Sequence, residues 1–320
     1  MKYSNILITA LILSVISGGC SAKQANPSLT HRETESEFQY GLETIIVQEN
    51  SLRLSTEASG PTAATPPVTT ARPDWASCFG GLNGAAVIFD PDENIVQVYN
   101  EDLANVRRSP CSTFKIISSL VGLETEVIDL EDSIRPWSGE VFWNDDWNRD
   151  IDFNSAFRTS CVWYYRQVIN DIGPDTMQDA LNALQYGNCD ISDWEGHLNN
   201  NNSNPALTGF WIESSLKISP IEQTQVLERI FGKSSKYPLD IQTALEEVMF
   251  LPEVNREACS IYGKTGMGKN SGIVVDAWYA GFADVGHRIY FCVYLGETAD
   301  RNVSSAAARE IAISLVTENY

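Results

Sequence analysis

The chain has 320 residues, 43% hydrophobic and 10% aromatic, enough for one large domain or two small ones. Its 22 basic residues against 42 acidic ones give a formal net charge of −20. That balance argues against nucleic-acid binding and against electrostatic adhesion to an anionic lipid surface.

Lys2 precedes an apolar run from Ile6 to Ile16 that is too short to span a bilayer, the pattern of an export signal. Ser17-Gly18-Gly19-Cys20 follows. Small residues before a cysteine resemble a bacterial lipoprotein cleavage site, with Ser17 where Leu is usual. This reading makes residues 1–20 a signal peptide and Cys20 a lipidated first residue. An ordinary cleavage near Ala22 is the alternative. The protein is thus expected to be exported, periplasmic or otherwise extracytoplasmic, and to touch a membrane only through that lipid.

Residues 21–73 read as a flexible linker, with Gly60 to Pro73 dense in Thr, Ala and Pro. Leu42 to Val47 has some strand character. A folded domain is predicted over 74–320. Gly84 to Phe89 reads as a buried strand, Asp90-Pro91-Asp92 as a turn and Ile95 to Tyr99 as the hairpin partner. A helix is predicted from Ser112. From about Glu124 to Gln242 the pattern is mostly helical, interrupted by the asparagine-rich loop Asn199 to Pro205. Ser219-Pro220 with Glu222 in the first turn signals a helix start. Strand patterns return at Ser260 to Gly266, Val274 to Ala283 and Arg288 to Leu295, and Ser304 to Val316 closes the chain as a helix. The expected fold is α+β: a central antiparallel sheet flanked by helices, with an inserted, mostly helical region.

Three short patterns carry chemistry. In Ser112-Thr113-Phe114-Lys115, a serine and a lysine one turn apart share a helix face. The amine can take the hydroxyl proton, and a helix start offers unpaired N–H groups to an oxyanion. The bland alternative is a capped helix with Lys115 in solvent. Ser160-Cys161-Val162 offers a second hydroxyl that can relay a proton; alone it reads as an ordinary serine. Lys264-Thr265-Gly266 on a strand presents a cation and a hydroxyl to a substrate carboxylate, and Gly266 allows close approach to the backbone. Gly263-Lys264-Thr265 also matches the end of a phosphate loop. That reading fails because Ala258 holds the leading glycine position and no helix pattern follows. Beyond Cys20, six cysteines remain (Cys78, Cys111, Cys161, Cys189, Cys259 and Cys292), with no C-x-x-C pair. The three histidines are scattered, so no metal site is expected.

S-x-x-K, a serine triplet and K-T-G in this order mark the penicillin-recognising serine enzymes. Ser112 to Lys115, Ser160 to Val162, Tyr186-Gly187-Asn188, Phe210-Trp211-Ile212-Glu213 and Lys264 to Gly266 resemble the class D (oxacillinase) serine β-lactamases. So do Arg108-Ser109-Pro110 and Ala277-Trp278-Tyr279-Ala280-Gly281. The resemblance covers residues 74–320. It implies acylation of Ser112 by a β-lactam. Lys115 would be an N6-carboxylysine made from CO₂ or bicarbonate and would act as general base, with no other cofactor. Carbamylation requires a neutral amine, hence a dry site, for which Phe114 and Val162 are candidate walls. Trp211 would hold the carbamate and Ser160 relay a proton. Lys264 and Thr265 would face the substrate carboxylate, and the backbone N–H groups of Ser112 and Met267 would form the oxyanion hole. Tyr186-Gly187-Asn188 reads as a structural turn.

Many members of this family carry an arginine near the start of the last helix as a second cation. Here Arg301 and Arg309 are the candidates, and a surface role is the expectation for both. Glu195-Gly196-His197-Leu198-Asn199 resembles the pattern around the deacylating glutamate of class A enzymes, but the class D motifs agree with one another against it. Cys111 and Cys161 read as core thiols or a redox liability. Two other functions compete: a non-hydrolysing penicillin sensor, in which these motifs are usually fused to a transmembrane part, and a D-Ala-D-Ala peptidase, which usually carries S-x-N.

Overall fold

The computed structural model describes residues 68–197, 204–254 and 259–320. The signal peptide, Cys20, Leu42 to Val47 and most of the linker and of the asparagine-rich loop lie outside the described residues. The first described element is β1 (Thr69–Ala71), inside the stretch read as linker. It pairs in parallel with Ile95 to Gln97, so the sheet begins before Asp74.

After α1 (Ala76–Phe79), β2 (Gly84–Asp90) and β3 (Ile95–Tyr99) form the expected hairpin. Asp90 Oδ1 closes the turn by accepting the N–H groups of Asp92 and Glu93. The short α2 (Glu101–Ala104) follows, then a 3-10 turn, Cys111–Phe114, that runs into α3 (Lys115–Glu124). The insert is less helical than its pattern suggested. Between Glu124 and Phe153 there is only a 3-10 turn, Asp145–Trp147. Helices resume with α4 (Phe153–Arg158), α5 (Val162–Ile172) and α6 (Pro174–Leu184). α7 (Pro220–Phe231) starts on the predicted capping box, with Ser219 and Glu222 satisfying each other's backbone N–H groups. α8 (Leu239–Met249), β4 (Ser260–Asn270), β5 (Ile273–Asp284), β6 (Arg288–Gly296) and α9 (Ser305–Asn319) complete the chain.

The six strands lie in the order β1-β3-β2-β6-β5-β4, antiparallel except for the β1–β3 pair. Side chains alternate across a strand. On β6, Tyr290, Cys292 and Tyr294 therefore enter the core shared with the helical insert, while Ile289, Phe291, Val293 and Leu295 enter the core under α9. Burial on both faces explains why this strand is apolar throughout. The order also makes β4 an edge strand, and its free edge lies along the Cys111–Phe114 turn. K-T-G and S-x-x-K meet at that seam.

Candidate active site

A 3-10 turn has three residues per turn, so side chains at i and i+3 eclipse. Ser112 and Lys115 stand in that relation, and Lys115 Nζ donates to Ser112 Oγ at 3.0 Å. The residue before the serine, Cys111, has φ 49°, a left-handed value that a non-glycine residue holds only under tertiary constraint. Part of that constraint is Cys111 N donating to Trp211 O at 3.0 Å. Lys115 is 1% exposed. The solvent-exposed lysine of the bland alternative is thus excluded. Burial pushes its amine down to about 8, because a charged ammonium loses its hydration there.

Ser160 also holds a positive φ, 59°, just before α5, and its hydroxyl accepts from Lys264 Nζ at 3.1 Å. Lys264 Nζ also lies 3.3 Å from Thr265 Oγ1. Burial first, and then the charge of Lys115, hold the Lys264 amine well below its ordinary value. Two serine–lysine pairs thus sit side by side. Val162 is half-buried and packs on the insert core, as does the fully buried Phe114.

Gly266 has a different neighbour from the one anticipated. A Cβ there would lie 2.8 Å from Pro110 O and 3.2 Å from Thr113 N. The turn that carries Ser112 occupies the close approach expected for a substrate. Met267 projects to solvent, 42% exposed. Trp211 is buried, with its ring 6.1 Å from that of Phe114. Tyr186-Gly187-Asn188 is a structural turn: Asn188 N donates to Lys217 O, Asn188 Oδ1 accepts Lys217 N, and its amide nitrogen donates to Ser215 O.

Arg309 corrects the surface expectation. It lines a cavity of about 250 Å³ with Lys264, Thr265, Phe157 and Tyr279, and its Nε is buried. Its position on α9 carried no motif, and only the packing of α9 under β4 reveals it. Arg301 instead lies against Gly81, in a different cavity from Lys264 and Thr265. A cavity of about 1120 Å³ between α7, α8 and β6 contains none of Ser112, Lys115, Ser160 and Lys264.

Glu195 pairs with the buried Arg166 while its own side chain is 78% exposed. Among the described residues it has no hydrogen bond to Ser112 or Lys115. Glu195→Gln should leave the deacylation rate within about threefold of the parent, read from the decay of the acyl-enzyme by mass spectrometry. Loss of the Arg166 pair, with one partner exposed, should cost only about 0.5 kcal/mol in stability. Cys111 and Cys161 are core thiols: burial raises both, to about 12 and about 11, which keeps them in the unreactive form.

The sheet edge, the two serine–lysine pairs and the buried K-T-G lysine define a penicillin-recognising serine enzyme. The penicillin binding protein transpeptidase domain matches residues 84–316. The chain belongs to that family, on its class D serine β-lactamase branch. It is 32% identical over 216 residues to a probable β-lactamase, YbxI, of Bacillus subtilis (strain 168), covering 67% of this chain and 74% of that protein. The solved class D β-lactamase BAT-2 delta mutant superposes with a TM-score of 0.64 at 28% identity, over 77% of this chain and 94% of its own. The C-terminal domain of the Bacillus licheniformis BlaR penicillin receptor superposes with a TM-score of 0.68 at 26% identity, over 79% and 98%.

Proposed function

We propose that this protein hydrolyses the β-lactam ring of penicillin-type antibiotics through an acyl-enzyme on Ser112, with Lys115 as general base in both half-reactions. The observation that carries the reading is a fully buried amine 3.0 Å from the serine hydroxyl and depressed to about 8. A base acts best when its pKa lies near the working pH.

Ser112 Oγ attacks the ring carbonyl carbon while Lys115 takes its proton. The ring C–N bond then breaks, and Lys115 returns its proton to the nitrogen through Ser160, the hydroxyl held by Lys264. The backbone N–H groups of Ser112 and Met267 receive the developing oxyanion. Lys264, Thr265 and Arg309 meet the substrate carboxylate. Water next attacks the ester carbon and gives a proton to Lys115, which passes it to Ser112 Oγ as the ester C–O bond breaks. Carbon dioxide adding to the neutral amine supplies a carboxyl base at Lys115. The dry setting, with Trp211 and Phe114 buried and Val162 half-buried, suits that group. The N-terminal pattern supports placement outside the cytoplasm, with Cys20 carrying a lipid.

Likeness to the BlaR penicillin receptor favours a second reading, a sensor that acylates and stays acylated. Hydrolysis of a chromogenic β-lactam by the purified protein separates the two. Sustained turnover that added bicarbonate increases is the expected result. A burst of one equivalent followed by no further turnover would replace the hydrolase with the sensor.

A further inference from the structure

An edge strand leaves every second backbone N–H without a partner in the sheet. On β4 one such group is engaged: Lys269 N donates to Glu213 Oε1 at 2.5 Å, away from β5. N–H direction repeats every two residues along a strand. The irregularity next to Lys269 adds its extra residue, Val275, to β5, so β4 alternates without interruption. The N–H of Met267 therefore shares the direction of the Lys269 N–H, toward the edge that borders the nucleophile turn.

Several contacts converge at this end of β4. Gly268 is so tightly enclosed that a Cβ would lie 2.9 Å from Cys111 Sγ and 3.5 Å from Glu213 Cγ. The bulged Val275 carbonyl accepts the Tyr294 hydroxyl, which also donates to the buried Asp276. Glu213 has φ 53°, a strained value for a side chain of this size. Its N–H is fixed by Ser109 Oγ at 2.8 Å, and Ser109 Oγ donates in turn to Trp211 O. Trp278 Nε1 holds the Ser109 carbonyl. Ser109 and Glu213 thus tie the residue before Pro110, the Trp211 segment and the strand beyond K-T-G into one unit.

We propose that Glu213 is a positioning residue for the oxyanion hole. By accepting the Lys269 N–H it holds the edge of β4 where the Met267 N–H faces the Ser112 carbonyl adduct. The inference rests on the acyl-serine reading above, specifically on Met267 as an oxyanion donor. It is independent of whether the acyl-enzyme is later hydrolysed, because hydrolase and sensor share the acylation step.

The test is the acylation rate of Ser112 by benzylpenicillin, followed by quenching and mass spectrometry of the whole protein, with thermal midpoints alongside. Removing an oxyanion donor costs about 10²- to 10³-fold, and displacing one costs less. Glu213→Ala should slow acylation at least tenfold with a midpoint near that of the parent. Glu213→Gln keeps an acceptor oxygen and should return the rate to within about threefold. Lys269→Pro deletes the donor from the other side, at an edge position that tolerates proline, and should match the alanine variant. Acylation of Glu213→Ala or Lys269→Pro within twofold of the parent would overturn the proposal. So would a glutamine variant as slow as the alanine one. Absence of turnover in the parent, with these acylation differences intact, would count against the hydrolase reading alone.

Discussion

Lys115→Ala will lose β-lactam turnover by at least about 10³-fold, at the upper range for removal of a general base, and bicarbonate will not restore it. The Lys115 amine lies 3.0 Å from the serine hydroxyl, placed to take its proton. Lys264 donates instead to Ser160, the hydroxyl that serves the leaving nitrogen. The pH profile of the parent supplies the complementary result. Carbon dioxide adds only to the neutral amine. With the folded-state value held down to about 8 by burial, the neutral fraction is about one half near pH 8, nearly complete a unit above it, and falls at lower pH. Stimulation by bicarbonate should therefore level off about one unit above pH 8 and, from about one unit below pH 8, weaken about tenfold for each further unit. A Lys115→Ala protein with bicarbonate-dependent turnover would remove Lys115 from the mechanism. A stimulation that grows as pH falls would exclude a neutral-amine reaction.

Gly187→Ala will destabilise the fold by about 3 kcal/mol, the sum of a left-handed residue and an overpacked contact. Gly187 has φ 54°, and a Cβ there would lie 2.0 Å from Lys217 O, a backbone atom with little freedom to retreat. The neighbouring Asn188 clasps the same segment through two bonds to the Lys217 backbone. Lys217 leads into Ile218, whose N–H and carbonyl bond to Arg108 just before the nucleophile turn. The cost should appear in urea unfolding as a lower midpoint. A midpoint equal to that of the parent would show that the turn can relax, and that Y-G-N is not a structural clasp.

Each of these residues was legible to a different degree. The hairpin, the capping box on α7 and strands β4 to β6 follow from periodicity and turn chemistry, which are local. The region between Glu124 and Phe153 was misread as helical. Its structure depends on contacts such as Trp137 N with Asp150 and Phe142 N with Asn148, which side-chain spacing does not announce. The parallel β1 was hidden in a Thr- and Ala-rich stretch because three residues make too short a pattern to read. Arg309 reads as a surface residue because nothing in its neighbourhood on α9 distinguishes it from an exposed helical arginine, whereas in the fold it lines a cavity with Lys264 and Thr265. Glu213 ends the Phe210 to Glu213 motif, but its bond to Lys269 crosses 56 residues.

By itself the sequence determined the reacting groups. Ser112 with Lys115 and Lys264 with Thr265 are close neighbours in the chain, and Ser160 opens its own triplet, so local spacing is enough to name them and their order is enough to name the family. Only the tertiary structure decided their electrostatics and their partners. Burial of Lys115, the pairing of Lys264 with Ser160 and the convergence of Arg309 on K-T-G bring together residues from helices and strands far apart in the chain. The physical reason is that desolvation is set by everything packed around a group, and no window of sequence contains that shell.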